Sequence, residues 1–337
     1  MVYAGWWRPT NGSMWTCWMS ETTIREATGS DEEAILATLR LALGETPLLQ
    51  RSPELWAWKH RLNPFGESIV MIAEEGGVVA GVRALMRWDL ITPSGGRLRC
   101  ARPVDTATHP RFTRRGIFRN LTMTALEVAR DQSIDLVFNT PNQKSAPGYL
   151  DMGWRHVYWI GAQVRPRLGS SSAPRESEPP AIERLAPSMS AGSPIPGDLP
   201  IRDPRGLRTP RIEEYLSWRF AQHPTASYGW LRSNESDGVL VARASSRAGR
   251  SELVVSDLIG KVRPDLIGRV ARTARARYLA GWFSPASPER GIAMRGGLMP
   301  VPGLKTLRLV ALPLNSLDFD PFDIRSWDIC TSDLELL

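Results

Sequence analysis

Asp105-Thr-Ala-Thr-His-Pro-Arg-Phe-Thr-Arg-Arg-Gly-Ile-Phe-Arg-Asn-Leu121 runs from an extended segment, through a short basic loop, straight into a helix start. Arg97 to Thr108 reads as a strand. The loop holds Arg114, Arg115 and Gly116, and from Ile117 to Arg130 the residues Leu121, Ala125, Leu126 and Val128 give a helix its apolar side. Such a junction points the free N–H groups of a first helical turn at one place, beside the positive end of the helix dipole. Gly116 lets a ligand approach the backbone where a Cβ would intrude, and flanking arginines add charge-assisted hydrogen bonds. The arrangement suits a pyrophosphate. Strand, glycine turn and helix also open many folds that bind no phosphate, so this segment alone leaves the function open.

The second informative stretch is Phe138-Asn-Thr-Pro-Asn-Gln-Lys-Ser-Ala-Pro-Gly-Tyr-Leu-Asp-Met-Gly-Trp154. Together the two stretches resemble the GNAT superfamily of N-acyltransferases, over roughly residues 22 to 165. In that family an R/Q-x-x-G-x-G/A loop cradles the coenzyme A pyrophosphate, and an N-x-x-A/S-x-x-x-Y-x-x-x-G-F/W stretch brings a tyrosine to the thioester. Gly116 matches the central loop glycine, and Asn142, Ser145, Tyr149, Gly153 and Trp154 match the second pattern in register. Thr113 departs from the usual Arg or Gln, and Phe118 from the usual Gly or Ala. Gly116-Ile-Phe118, with Trp58-Lys59-His60 and Asn63-Pro64-Phe65-Gly66 upstream, resembles the two-domain branch that includes nucleotide-sugar N-acyltransferases.

The resemblance implies a mixed α/β fold, with a pantetheine arm lying between the strand that ends near Thr108 and the strand that starts at Leu136. It assigns carrier contacts to Thr106, Ala107, Thr108, Arg114, Arg115, Gly116, Ile117, Phe118, Arg119, Asn142 and Ser145. A backbone N–H near Asp105 to Ala107 would hold the oxyanion. The co-substrate would be acetyl-CoA or another acyl-CoA, and the acceptor a small-molecule amine. Coenzyme A leaves as a thiolate whose parent pKa is ~8.5, which a phenol of pKa ~10 can protonate. Tyr149 is the candidate acid, or else a core tyrosine. Asp105 is the nearest candidate base, or else a substrate contact or a loop cap. His109, beside the loop, suits a diphosphate contact.

Working outward, Thr22 to Arg25 reads as an edge strand, and Ser30 with Glu33 as a capping box opening a helix through Ile35, Leu36, Leu39 and Leu43. A second helix runs from Pro53 to about Leu62. Strands from Ser68 to Ala73 and from Val78 to Met86 flank a hairpin turn, and Asp135 to Asn139 is a buried strand. Residues 166–200, dense in Pro, Ser and Gly, read as a linker. Residues 201–315 repeat the order of elements: strands Val239 to Ala244 and Glu252 to Ile259, helix Pro264 to Arg275, strand Tyr278 to Phe283. Gly297-Leu298 precedes a strand from Thr306 to Leu312, as Gly153-Trp154 precedes one from His156 to Val164. The expectation is a tandem of GNAT-like domains, 21–165 and a degenerate 201–315, with a C-terminal tail at 316–337. The second half offers no acyl site, since Gly260-Lys261-Val262-Arg263 has no glycine at the helix start. Its expected role is to wall the acceptor cleft, with Trp58, Trp218, Arg219 and His223 as substrate contacts; an amphipathic helix with Tyr215, Leu216 and Trp218 in the core is the alternative.

Composition narrows the class. The 337 residues are 42% hydrophobic and 23% charged, as in ordinary globular proteins, and no run approaches the ~20 apolar residues that span a bilayer. Cys17, Cys100 and Cys330 are far apart and lack metal-ligand spacing, so a reduced, cytoplasmic protein without a metal is expected. The net charge of +7 rests almost wholly on arginines spread along the chain. That balance leaves room for an aminoacyl-tRNA donor, or for a binding module without catalysis. Met1 to Trp18 lacks a signal-peptide pattern, and residues 1–20 read either as a disordered tail or as a mis-annotated extension ahead of a start at Met19.

Overall fold

A computed structural model describes residues 22–46, 49–166, 181–233, 237–247 and 249–334. In chain order the first half gives β1 (Thr23–Glu26), α1 (Glu32–Leu43), α2 (Pro53–His60), β2 (Ile69–Glu75), β3 (Val78–Ile91) and β4 (Arg97–Thr108). There follow α3 (Ile117–Asp131), β5 (Leu136–Asn139), α4 (Ala146–Asp151), β6 (Arg155–Ile160) and β7 (Gln163–Pro166). The second half gives α5 (Ile182–Leu185), β8 (Ser190–Ala191), α6 (Glu213–Leu216), β9 (Tyr228–Arg232), β10 (Gly238–Arg247) and β11 (Arg250–Gly260). It ends with α7 (Pro264–Thr273), β12 (Tyr278–Gly281), α8 (Pro288–Arg295), β13 (Met299–Pro300), β14 (Leu307–Pro313) and α9 (Thr331–Leu334). The expected extension at residues 1–20 lies outside the described residues.

Local chemistry accounts for most boundaries. Asp31 accepts from the Thr28 backbone N–H at 2.7 Å, so the capping box is Thr28 with Asp31, opening a 3-10 turn (Gly29–Asp31) that leads into α1, and not Ser30 with Glu33. Ser52 caps α2 by accepting from the Leu55 N–H, and Pro53 takes the first helical position.

Two seven-stranded sheets result, in the orders β1-β2-β3-β4-β5-β14-β6 and β13-β7-β12-β11-β10-β9-β8. Each half lends the other a strand. β14 lies antiparallel between β5 and β6, and β7 lies antiparallel between β12 and β13. The single strand expected over His156 to Val164 therefore breaks in two. Between its pieces sits Gly161, where a Cβ would come within 2.7 Å of the Leu304 carbonyl oxygen.

Two stretches read as linker and tail are core. Ile182, Leu185 and Ala186 pack against β10 and its neighbours, and Ile195 and Leu199 join the core between the sheets. Trp327, Ile329 and Leu334 are buried in that same core. Residues 167–180 of the expected linker lie outside the described residues.

The repeat is sharper than the order of elements suggests. Glu54-Leu-Trp-Ala-Trp-Lys-His-Arg-Leu-Asn-Pro64 aligns without a gap on Glu214-Tyr-Leu-Ser-Trp-Arg-Phe-Ala-Gln-His-Pro224, and the same offset pairs Arg51 with Arg211 and Arg83 with Arg243. The two copies meet at their tryptophans. Trp58 and Trp218, 160 residues apart, stack at 4.4 Å with an interplanar angle of 9°. Each indole N–H donates to the other residue's carbonyl oxygen at 2.8 Å. Both side chains are 2% exposed.

Trp58→Ala and Trp218→Ala should each cost about 3–5 kcal/mol of stability, and the double variant less than the sum by about 1–3 kcal/mol. Urea denaturation of the four proteins measures this; additive losses would remove the stack as the tie between the halves.

Candidate active site

β4 is where the sheet opens. It pairs with β5 in parallel only through Cys100 with Leu136 and Ala101 with Val137, and beyond that the two strands part. Its ladder with β3 slips: Val82 pairs with Ala107 and Ala84 with Val104, leaving Arg83 opposite a bulge of Asp105 and Thr106. Asp105 takes a φ of 41°, in the left-handed region that non-glycine residues rarely adopt.

The Asp105 carboxylate is held by three side chains: Arg51 Nη1 at 2.5 Å, Lys59 Nζ at 3.1 Å and His60 Nε2 at 3.1 Å. Burial raises its pKa, but Lys59, His60 and Arg51 outweigh that and hold it well below the usual carboxylate range. A carboxylate so placed takes up no proton near neutrality. This corrects the expectation of Asp105 as the base; it is the anion that fixes the bulge against α2. His60 sits on Ser68 Oγ through Nδ1 at 2.9 Å, and burial lowers its pKa, leaving a neutral ring.

Thr106 turns the other way, to Arg83. That guanidinium is 0% exposed and lies over the rings of Phe118, at 4.9 Å, and Tyr149, at 5.2 Å. Its Nη1 donates to Thr106 Oγ1 at 2.9 Å and to the Tyr149 hydroxyl at 2.6 Å, and its Nη2 donates to Thr122 Oγ1. The Tyr149 oxygen is thus an acceptor, and among the described residues nothing accepts its own hydrogen.

The residues expected to contact a carrier divide. Gly116, at φ 74°, starts α3 with no side-chain cap, and a Cβ built on it would meet nothing within 4 Å. Arg114 and Arg119 are exposed beside it, with Arg114 itself at φ 65°. Arg115 instead pairs with Glu75 at 2.8 Å. Ile117 is a core residue, and Phe118 packs edge-on against Tyr149, so these two offer only backbone to a ligand. Ala107 and Thr108 stay in the β3–β4 ladder. Asn142 Oδ1 accepts from the N–H groups of Lys144 and Ser145 at 3.0 and 2.9 Å, building the turn into α4.

The expected acceptor wall is interior. Trp58 and Trp218 are spent on each other, and Arg219 is fully buried, donating to the Tyr228 hydroxyl at 2.6 Å and to the Ser332 carbonyl. His223 packs on Trp58 at 4.2 Å, and its Nδ1 accepts from the N–H of Thr225 and of Ala226. Burial first, then Arg219, pushes its pKa down to about 2. Sequence reading gave no role to Arg51 or Arg83, and it quoted Lys59 and His60 only as part of a resemblance. Arg83 shows in the sequence as one charge inside the apolar run Val78 to Met86, which breaks no periodic pattern.

The second copy closes the equivalent gap. β11 and β12 pair in parallel up to Val255 with Gly281, and there Thr331 Oγ1 accepts from the Trp282 N–H at 2.7 Å. Cys330 Sγ donates to the Ser256 carbonyl, and Ser332 Oγ to Asp257 Oδ2 at 3.0 Å. Asp333 joins Asp257 on Arg211, at 3.0 and 2.8 Å. The chain's own C-terminal segment fills that cleft. Among the described residues no cluster of His, Cys, Asp and Glu could hold a metal ion, and no helix is long and apolar enough to cross a membrane.

Residues 23–157 match the family profile described as Acetyltransferase (GNAT) domain. No curated protein matches the sequence. A GCN5-related N-acetyltransferase from Anabaena variabilis superposes with a TM-score of 0.56 at 13% identity, covering 88% of this chain and 73% of that one. A tandem GNAT protein from the clavulanic acid biosynthesis pathway gives 0.53 at 14% identity, covering 88% of this chain and 100% of that one. A GCN5-related N-acetyltransferase from Kribbella flavida gives 0.52 at 14% identity, covering 87% and 71%. At such identities the likeness is one of fold. The chain carries the GNAT fold in tandem, with the matched acetyltransferase domain in its first half.

Asp105→Asn should destabilise the protein by about 3–5 kcal/mol, because two buried cations lose their anion; an unfolding midpoint equal to wild type would reopen the base reading. His223 tests burial by pH. Its folded pKa lies below the ~6.5 of an unfolded histidine, so its contribution is present above pH ~6.5 and is lost, by about 1.4 kcal/mol per unit, as the pH falls below that. Asn63 does the same job in the first copy, accepting from the Phe65 N–H, so His223→Asn keeps an acceptor there without the titration. Denaturation at pH ~7.5 and ~5 should show the variant losing about 2 kcal/mol less than wild type; equal losses would contradict it.

Proposed function

We propose that the protein is an acyl-CoA-dependent N-acyltransferase, moving an acyl group, acetyl in the simplest case, to the primary amine of a small polar acceptor. The observation that carries this reading is the parting of β4 from β5 beside Tyr149, whose phenolic hydrogen has no acceptor among the described residues. The pyrophosphate would lie on the first N–H groups of α3, in the open space at Gly116, with Arg114 and Arg119 alongside. The pantetheine arm would take the edge of β4 that β5 leaves, as an added strand does.

Chemistry follows from the bulge. Asp105 and Thr106 have no partner in the β3 ladder, which leaves backbone N–H there for the thioester carbonyl oxygen as it gains charge. The amine adds to the carbonyl carbon, the tetrahedral intermediate collapses, and the C–S bond breaks with its electron pair on sulfur. Tyr149 supplies the proton that sulfur needs. The amine sheds its own proton to water, since the Asp105 carboxylate is taken up by Arg51, Lys59 and His60 and is too weak a base to accept it. An amino sugar carried on a nucleotide, or a natural-product intermediate, is the acceptor class we favour, on the resemblance of Trp58 to Gly66 to that branch.

Gly116→Ala should weaken acetyl-CoA binding in calorimetry by about tenfold or more, because the methyl enters the phosphate space and resists the positive φ. Gly77→Ala, at φ 75° in an equally open turn, is the control for backbone strain. Equal affinity in both variants would remove the loop from the site.

A further inference from the structure

Arg83 is a buried cation without a buried anion. It has 0% exposure, and among the described residues no carboxylate lies within ion-pair distance of it. Its partners are neutral: the hydroxyls of Thr106, Thr122 and Tyr149, and the rings of Phe118 and Tyr149. Among the described residues its Nε has no hydrogen-bond partner. Folding rarely leaves a charge so, because burial penalises an uncompensated ion and proteins supply a counter-ion or neutralise the group. The nearby acid is turned away. Asp105, next to Thr106 along β4, is taken by Arg51, Lys59 and His60. Neither α3, through Phe118 and Thr122, nor α4, through Tyr149, brings an acidic group to the guanidinium.

We propose that the missing anion is the sulfur of coenzyme A: Arg83 is the positioning residue that holds Tyr149 as a donor and offsets the charge of the leaving thiolate. This rests on the acyl-CoA reading and adds to it. Arg83 Nη1 occupies the phenol oxygen as acceptor, so the phenolic hydrogen is directed elsewhere, to an atom with a lone pair. When the C–S bond breaks, the electron pair stays on sulfur, and that new charge sits one phenol away from a guanidinium already in place. No side chain has to move to meet it. The proton lost by the amine and the proton gained by sulfur balance through water and Tyr149, whichever moment sulfur takes it.

The consequence is that the cleft prefers coenzyme A as thiolate over thiol, a property that requires no acceptor to measure. Coenzyme A and desulfo-coenzyme A would be titrated into wild type, Arg83→Met and Arg83→Lys between about pH 6 and 9, following heat and the ultraviolet absorbance of the thiolate. In wild type the bound thiol should ionise at least about one unit below the ~8.5 of a free thiol, which is a tenfold preference for the thiolate. Arg83→Met should lose that tenfold, and Arg83→Lys keep part of it. Desulfo-coenzyme A should bind all three within about threefold, which certifies an intact pocket. A bound thiol in wild type that ionises at or above the free value overturns the proposal, as does an equal shift in Arg83→Met, while binding itself leaves the acyl-CoA reading standing. Failure of both compounds to bind wild type overturns that reading and this proposal together.

Discussion

The stack of Trp58 on Trp218 is the contact on which the rest of the molecule depends. Two indoles at 4.4 Å, each donating to the other's backbone carbonyl, fix α2 against the segment after α6 with no freedom to slide. Lys59 and His60 come next on α2, so their positions are fixed too, and with Arg51 they define where a carboxylate must lie. Asp105 meets them only by taking a left-handed backbone conformation, and that conformation is the bulge in β4. The bulge removes residues from the ladder just where β4 and β5 part. An interface between two halves thereby shapes the cleft of one of them.

The halves are copies put to different uses. Arg51 and Arg211 stand at equivalent positions, yet Arg51 meets one carboxylate, Asp105, and Arg211 meets two, Asp257 and Asp333. The second of these arrives on the C-terminal segment, together with Cys330 and Ser332, and seals the gap between β11 and β12. The first copy keeps its gap, with Arg83 and Tyr149 at its side. The exchange of β7 and β14 weaves the two copies together, each contributing a strand to the other's sheet.

Periodicity made the local elements legible. Arg97 to Thr108 and the helix from Ile117 were readable because alternation and helical spacing depend on near neighbours, and Gly116 and Tyr149 were placed by motif spacing. Long-range choices were not readable. The two strands of His156 to Val164 join different sheets, and nothing within ten residues of them encodes that. Residues 181–200 looked like linker because Pro and Gly mask the few apolar side chains that pack there. The segment of Trp218 and His223 reads either as a ligand wall or as a helix with Tyr215, Leu216 and Trp218 in the core, because a buried indole and an exposed one have the same letter, and the structure has these three in the core. Asp105 reads as a base in the sequence because the three side chains that hold it, two cations and a neutral imidazole, come from residues 45 to 54 positions away. Arg83 was passed over for the opposite reason: one charge in an apolar strand carries no periodic signal.

Of two similar clefts, one is filled by the chain itself, and the other is the proposed site of the acyl carrier. The stoichiometry of coenzyme A binding to the full-length protein tests this most directly. Calorimetric titration should give one equivalent per chain, with no second, weaker event as the concentration rises. Two equivalents would show that the C-terminal segment does not close the second cleft. No binding would show that the open gap beside Tyr149 is not a carrier site.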